Sequence, residues 1–146
     1  MNPGIEVLLV DDSPADLDLT REGLSRSRQQ FQVSAVADGA EAICFLRRQG
    51  KYAQAPEPDL ILLDLNLPRK DGREVLSELK NDPQFTRIPV VIFTTSQATS
   101  DVNRSYADGA NCFVSKPGNF PEYAAAVQFM ADFWLSLAIL PRKEMQ

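Results

Sequence analysis

The sequence predicts an α/β protein built on a doubly wound, five-stranded parallel sheet in the order 2-1-3-4-5, with five helices. Short apolar runs, typical of strands buried on both faces, each end at a polar residue where a loop would begin. There are four such runs: residues 7–10 before Asp11, 60–63 before Asp64, 90–93 before Thr94, and 112–114 before Ser115 and Lys116. Strand and helix signals alternate five times along the chain, which indicates repeated β-α units.

The first β-α unit has clear start signals. A strand is predicted over about residues 6–10, and Ser13 followed by Pro14 is typical of an N-cap and a first helical residue. The helix is predicted to run to about Arg28. Residues 31–36 then alternate apolar and polar side chains, which favours a strand near an edge of the sheet.

The next two units follow the same pattern. Asp38 is a fitting cap for a helix that is expected to stop near Gly50, and a polar connection leads to the third strand at residues 60–63. Pro68 breaks the chain after this strand. A third helix with apolar residues at helical spacing is expected to end near Asp82.

The last two units complete the sheet. The fourth strand leads to a weakly apolar helix over about residues 98–108. The fifth strand ends at Lys116. An extended C-terminal helix is predicted over about residues 121–139, and Pro141 ends it.

Length, charge and composition limit the functional classes. The 146 residues fit one domain, 1–146, with a core of about residues 5–140. The net charge of −5 and the lack of a basic stretch argue against nucleic acid as a direct partner. No apolar run approaches the ~20 residues of a membrane span, and no signal-peptide pattern is present. Cys44 and Cys112 lie in apolar patterns typical of buried free thiols, so we expect a cytoplasmic protein without membrane association.

The sequence contains no histidine. This excludes a histidine general base, a Ser-His triad and most zinc sites. It also means that this chain cannot carry a phosphohistidine, so any phosphoryl group from such a donor must come from another protein or a small molecule.

Polar side chains at the strand ends are predicted to meet in one cleft, since strands one and three are neighbours in the predicted order. Three converging carboxylates, Asp11, Asp12 and Asp64, favour Mg²⁺ where no histidine or cysteine is near. Asp12 is expected to bind the metal directly and Asp11 directly or through water. Asp64 is expected to bind the metal and to attack phosphorus as a covalent nucleophile. Lys116 and Thr94 are then placed to contact the phosphoryl oxygens.

Each of these residues also has an ordinary structural interpretation. Asp12 alone is typical of a helix cap, and Asp64 alone of a turn before Pro68. Taken alone, Lys116 would be an ordinary solvated surface lysine, and Thr94 an ordinary strand residue. Their common position, at the carboxyl ends of neighbouring strands, favours the functional interpretation.

Four segments resemble the receiver domains of two-component response regulators. They are Val-Asp-Asp-Ser at 10–13, Leu-Leu-Asp-Leu-Asn-Leu-Pro at 62–68, Pro-Val-Val-Ile-Phe-Thr-Thr at 89–95 and Val-Ser-Lys-Pro at 114–117. The resemblance implies a flavodoxin-like fold in which Asp64 accepts phosphate from a phosphohistidine on a sensor histidine kinase. The protein would then be a phosphoacceptor that catalyses only its own phosphorylation and dephosphorylation, and not an enzyme with a separate substrate.

The same resemblance implies roles for individual residues. The main-chain carbonyl of Asn66 would join Asp11 and Asp12 at the magnesium ion. Thr94 and Lys116 would contact the phosphoryl group. Thr94 and the aromatic Phe113 would form the switch, with the weakly anchored fourth helix as the element that moves; the alternative is that Phe113 is simply part of the core.

A narrower resemblance is to the small response regulators that partner cyanobacterial phytochrome kinases. It is carried by the connection at residues 45–56, by Thr-Thr-Ser-Gln at 94–97 and by Asp-Phe-Trp-Leu-Ser at 132–136. It implies a phytochrome-type histidine kinase as the partner.

The last helix carries two apolar stripes, whereas packing against the sheet requires only one. The first stripe contains Tyr123, Val127, Met130, Trp134 and Ala138. The second contains Phe129, Phe133 and Leu137, and we predict a homodimer through it, as the phytochrome-partner resemblance also implies. The alternative is that the tail folds back on its own domain.

Two other functions are less consistent with the sequence. A haloacid-dehalogenase-like phosphatase has its nucleophile on the first catalytic strand with a second acid two residues later. Here the acidic pair comes first, and Asn66 stands two residues after Asp64. A degenerate receiver that acts only as a protein-interaction module would lack an aspartate or the lysine, and none is missing.

Overall fold

The computed structural model describes residues 4–141 and contains a five-stranded sheet in the order β2-β1-β3-β4-β5, with every pair of neighbours parallel. The strands are β1 (Ile5–Val10), β2 (Phe31–Val36), β3 (Leu60–Leu63), β4 (Val90–Thr94) and β5 (Cys112–Ser115). The α-helices are α1 (Pro14–Leu24), α2 (Gly39–Leu46), α3 (Gly72–Lys80), α4 (Thr99–Ala107) and α5 (Phe120–Ala131). The predicted fold class and sheet order are confirmed. The single-domain span of 1–146 stays a prediction, because residues 1–3 and 142–146 lie outside the described part.

Strand register decides which residues leave the sheet together. Val10 is paired with Val36 on one side and with Leu63 on the other. The residue after each strand continues this alignment: the amide of Asp11 donates to the Val36 carbonyl at 3.1 Å, and that of Asp64 donates to the Val10 carbonyl at 3.0 Å. The chain therefore delivers Asp11 and Asp64 side by side at the carboxyl edge of the sheet.

The sheet separates two apolar layers, because neighbouring residues of a strand point to opposite faces. In β1, Leu8 and Val10 pack on one face with residues of α2 and α3, whereas Val7 and Leu9 pack on the other with residues of α1 and α5. Burial of each such aliphatic side chain contributes about 1.5–3 kcal/mol. The strands are thus held from both sides, and the loops at their carboxyl ends start from rigid positions.

Two helices end earlier than the sequence predicts. Helix α1 stops at Leu24, not near Arg28, because the exposed Ser25 and Arg26 offer no apolar surface and the Ser25 hydroxyl donates to the Glu22 carbonyl at 2.6 Å. Helix α2 stops at Leu46, four residues before Gly50. Arg48 takes a positive φ of 56° there, a conformation that no helix continues through.

The last helix also differs from its prediction. An α-helix covers Phe120–Ala131 and a π-helical turn covers Asp132–Leu137, so the helical backbone ends two residues before the predicted 139. Ala138 is extended and donates its N–H to the Phe133 carbonyl at 2.7 Å. The wider turn changes the helical spacing, and Leu135 becomes buried while Trp134 is only partly buried.

Two smaller expectations concern the thiols and the membrane. Cys44 and Cys112 are free, as predicted, but both are only partly buried. Within residues 4–141, no helix is both long and apolar enough to cross a bilayer.

Candidate functional site

The carboxyl edge of the sheet brings an ammonium group against carboxylates from distant parts of the chain. Lys116 follows β5, and its Nζ lies 2.6 Å from Oδ2 of Asp11 and 3.1 Å from Oδ2 of Asp64. All three side chains are buried, and Lys116 has only 6% of its surface exposed. Burying charges is costly unless they are paired, so the lysine and the two carboxylates stabilise one another.

The loop backbone orients both carboxylates. The Asp11 Oδ1 atom accepts a hydrogen bond from the Ser13 amide at 2.9 Å, and the Asp64 Oδ1 atom accepts one from the Asn66 amide at 3.2 Å. Each carboxylate therefore uses one oxygen to bind its own loop and presents the other to Lys116. The Lys116 amide in turn donates to the Thr94 carbonyl at 2.6 Å, which ties β5 to the end of β4.

Three carboxylates are close enough to hold one metal ion. One oxygen each from Asp11, Asp12 and Asp64 lie within 4.8 Å of one another, with Asp12 exposed and the other two buried. Hard oxygen donors of this kind, with an open side toward solvent, suit a small divalent cation that keeps part of its water. The residues present therefore fit the metal site that the sequence predicts. Asn66 is exposed beside this cluster.

The charge of Lys116 is set by its neighbours. Burial by itself lowers the pKa of an ammonium group. The hydrogen bonds to Asp11 and Asp16, together with the negative charge of Asp64, outweigh burial and raise the pKa of Lys116 above its usual value. Lys116 is therefore a permanent cation at neutral pH.

Thr94 is the last residue of β4, the strand that lies between β3 and β5. It is fully buried, yet its Oγ1 has no hydrogen-bond partner among the residues that the structure describes. The Ser115 hydroxyl, opposite Thr94 in the sheet register, is the other buried hydroxyl within residues 4–141 that has no hydrogen-bond partner there. Leaving a buried hydroxyl unpaired costs about 1–3 kcal/mol, so such a group calls for an explanation.

Sequence reasoning missed one member of this cluster. Asp16, in the first turn of α1, places its Oδ2 2.8 Å from Lys116 Nζ. The available signal was its position three residues after the Ser13 cap, at the end of α1 that faces the strand ends. That signal alone does not identify a partner across 100 positions of sequence.

Helix α4 is held mainly by polar contacts. Ser105 is its only buried residue. Near its start, Asp101 binds the Arg73 guanidinium through two hydrogen bonds of 3.0 and 2.9 Å and accepts a 2.6 Å hydrogen bond from the Ser96 hydroxyl. Near its end, the Tyr106 hydroxyl accepts from the Phe113 amide at 3.0 Å. The predicted switch residue Phe113 is partly buried against the core.

The two stripes of the last helix have different surroundings. Residues of the first stripe, among them Tyr123 and Val127, are buried against the sheet and α1. The second stripe stays exposed in the single chain: Phe129 by 74%, Phe133 by 47% and Leu137 by 74%. The described part of the tail does not cover them.

Comparison with known proteins agrees with this geometry. Residues 7–128 match the family model of the response regulator receiver domain. Response regulator Rcp1 of Synechocystis sp. is 46% identical over 140 residues, which cover 96% of this chain and 95% of Rcp1. A probable methanogenesis regulatory protein, FilR2 of Methanothrix harundinacea, is 34% identical over 130 residues, or 88% of this chain and 83% of FilR2.

Solved structures extend the likeness to three dimensions. The Mn²⁺-bound form of Rcp1 superposes with a TM-score of 0.92 at 46% identity, covering 94% of this chain and 99% of Rcp1. The phosphorylated cyanobacterial phytochrome response regulator RcpA superposes with a TM-score of 0.91 at 47% identity, with the same coverage. The sheet order, the strand-end residues and these matches agree, and the chain belongs to the response regulator receiver domain family.

Proposed function

We propose that this protein is a stand-alone response regulator that accepts a phosphoryl group on Asp64 from a sensor histidine kinase of the phytochrome type, in a Mg²⁺-dependent reaction. The observation that carries the proposal is the position of the Asp64 carboxylate. It lies 3.1 Å from the Lys116 ammonium and within 4.8 Å of oxygens of Asp11 and Asp12. The proposed nucleophile thus lies beside a fixed positive charge and among the carboxylates that can hold a metal ion.

The proposed chemistry is phosphoryl transfer from nitrogen to oxygen. An Asp64 carboxylate oxygen attacks the phosphorus of the kinase's phosphohistidine; the new P–O bond forms as the P–N bond breaks, and the electron pair leaves with the imidazole. Asp11, Asp12, Asp64 and the main-chain carbonyl of Asn66 would hold a divalent cation, which would supply positive charge to the phosphoryl oxygens. Lys116 supplies a second positive charge from the protein itself.

The unpaired Thr94 hydroxyl has a role in this proposal. An aspartyl phosphate carries acceptor oxygens, and Thr94 donates to one of them. Its movement draws the loop after β4 toward Asp64. Helix α4 follows, since few apolar contacts hold it, and Phe113 turns inward to fill the space.

The partner assignment rests on the relatives. RcpA is a phosphorylated cyanobacterial phytochrome response regulator, and this chain is 47% identical to it. On the basis of this similarity, we propose a phytochrome-type kinase as the partner of this chain as well. The acidic net charge of −5 disfavours binding to nucleic acid or to anionic membranes, and we propose that the protein acts in the cytoplasm.

We also propose a homodimer. Phe129, Phe133 and Leu137 form an exposed apolar stripe on the last helix, and a second copy of the chain covers it. An isologous dimer of this kind places the same stripe on both sides of the interface.

Phosphotransfer from two kinases tests the function. A phosphorylated phytochrome-type kinase and an unrelated sensor kinase are each mixed with the protein, with Mg²⁺ or with EDTA, and the phosphoprotein is separated on a phosphate-affinity gel. We expect transfer from the phytochrome-type kinase at least tenfold faster, and none in EDTA. Equal rates would refute the partner assignment, and no transfer from any donor would favour the degenerate receiver. Turnover of a phosphate ester would favour the phosphatase.

A further inference from the structure

Asp16 is the residue of the cluster that the proposed function does not use. Its Oδ2 lies 2.8 Å from Lys116 Nζ, closer than Oδ2 of Asp64 at 3.1 Å. Its side chain is 27% exposed, whereas those of Asp11 and Asp64 are 9% exposed. Asp16 therefore sits at the rim of the cleft, on the solvent side of the ammonium group.

The backbone of Asp16 is fixed from two directions. Its amide donates to the Ser13 hydroxyl at 3.2 Å, as the capping of α1 requires. Its carbonyl accepts a hydrogen bond from the Tyr123 hydroxyl at 3.4 Å, and the same hydroxyl shares a hydrogen bond of 3.1 Å with the Thr20 hydroxyl. The first turn of α1 is also a favourable place for a carboxylate, because of the helix dipole. Asp16 thus presents its carboxylate from a rigid position.

The donors of Lys116 match the acceptors around it. An ammonium group has three N–H donors, and Lys116 Nζ contacts three carboxylates: Asp11, Asp16 and Asp64. Asp11 and Asp64 also belong to the set of carboxylates that can hold one metal ion. Asp16 does not belong to that set, so its carboxylate would still be available to accept a hydrogen bond from Lys116 when a metal ion is bound.

We propose that Asp16 is a positioning residue that holds the Lys116 ammonium at the rim of the cleft, so that Asp11 and Asp64 are released to bind a divalent cation and a phosphoryl group. This inference rests on the proposed function of the site. When the cation takes oxygens of Asp11 and Asp64, Lys116 keeps Asp16 as its partner and stays within reach of Asp64. Without Asp16, the ammonium depends on Asp11 and Asp64 alone and competes with the cation.

Mn²⁺ binding to the unphosphorylated protein tests this inference, measured by the electron paramagnetic resonance of free Mn²⁺. We expect Asp16→Asn to weaken Mn²⁺ affinity by about 3–5-fold, the upper end of the range for one partly exposed ion pair. Asp18→Asn is the matched control, because it removes the same charge from an exposed position of the same helix. It should change the affinity less than twofold. An Asp16→Asn protein that binds Mn²⁺ as the wild type does would overturn the inference.

The double variant separates positioning from simple electrostatics. If Asp16 acts through Lys116, adding Asp16→Asn to Lys116→Met changes Mn²⁺ affinity less than twofold. A further loss equal to that of the single variant would overturn the inference, since Asp16 would then act on the metal directly. Wild-type protein that binds no Mn²⁺ would overturn both this inference and the proposed function, whereas failure of the Asp16 variants alone leaves the function intact.

A nuclear magnetic resonance measurement does not depend on the folding of the Lys116→Met variant. The ¹⁵N-ammonium signal of Lys116, protected from exchange by its carboxylate partners, should survive Mg²⁺ addition in the wild type. In Asp16→Asn it should broaden or disappear on Mg²⁺ addition. An equally sharp signal in both proteins would contradict the positioning role.

Discussion

The Lys116 ammonium and the Asp64 carboxylate lie 3.1 Å apart, although 52 positions separate the two residues in the chain. The sheet order explains their meeting. Asp64 follows β3, Lys116 follows β5, and β4 lies between these strands with Thr94 at its end. Polar residues that follow or end β1, β3, β4 and β5 thus come together at one site, although these strands are far apart in the sequence.

Thr94→Ala removes a buried hydroxyl that has no partner among the described residues, and with it a buried methyl group, so we expect two opposing effects on stability that nearly cancel. The free energy of unfolding, from urea denaturation, should stay within about 1 kcal/mol of the wild type. The phosphorylation-dependent change in hydrogen exchange of α4 should be absent. Ser115→Ala is the matched control, because it removes the other unpaired buried hydroxyl, and it should keep the response of α4. A Thr94→Ala protein whose α4 responds like the wild type would refute the switch.

Gly72→Ala tests how tightly the Asp64 loop is packed. A Cβ at residue 72 would lie 2.7 Å from the Leu65 Cα and closer still to the Asp64 carbonyl oxygen, and both are backbone atoms that cannot swing aside. We expect a loss of about 1–3 kcal/mol in the free energy of unfolding and slower phosphorylation of Asp64. Gly118→Ala is the control, since within residues 4–141 no atom beyond its chain neighbours lies within 4 Å of the added Cβ. Equal stability of the two variants would show that the loop moves freely.

The stability of the protein should fall between pH 10 and pH 12 because of Tyr123. Burial raises the pKa of its phenol from 10.0 to about 12 in the folded protein. The neutral phenol therefore stabilises the fold fully below pH 10, and this contribution of about 3 kcal/mol disappears as the pH rises to 12. Urea denaturation at pH 9 and pH 11.5 should show that the free energy of unfolding falls less between these two pH values for Tyr123→Phe than for the wild type.

Tyr52 does not disturb that comparison. Burial also raises its pKa to about 12, but the residue is present in both proteins, so its contribution cancels. A wild type and a Tyr123→Phe variant that lose stability in parallel would contradict the assignment.

Phe133→Ser tests the proposed dimer by light scattering. One phenylalanine side chain withdrawn from water is worth about 1.5–3 kcal/mol, so the dimer dissociation constant should rise by at least about tenfold. Phe120→Ser, at the exposed start of the same helix, is the control and should leave the mass unchanged. A monomeric wild type, with or without phosphorylation, would rule out the dimer.

The strand ends and their convergence can be predicted from the sequence for a physical reason. A strand buried on both faces must be apolar throughout, so the first polar residue marks its exit into a loop. Asp11 and Asp64 are such residues, and the parallel order puts their exits on the same edge of the sheet as Lys116, which follows β5. The N-caps Ser13 and Asp38 are equally local signals, and both accept the expected backbone hydrogen bond.

Other features depend on contacts that no local pattern encodes. The pairing of Asp16 with Lys116 needs the angle of α1 against the sheet, which a helix cap does not specify. The early end of α2 depends on the left-handed backbone of Arg48, a residue type that does not signal such a conformation. The π-helical turn at Asp132–Leu137 changes which apolar residues face the core, and a constant helical period cannot anticipate it.

The most direct test of the central claim is the intact mass of the protein after incubation with Mg²⁺ and a phosphorylated sensor kinase, with wild type beside Asp64→Asn. The proposed function predicts that the wild type gains the mass of one phosphoryl group and that Asp64→Asn gains none. A wild type that gains no mass with any phosphodonor, or a gain that survives in Asp64→Asn, would contradict the assignment of Asp64 as the phosphoacceptor.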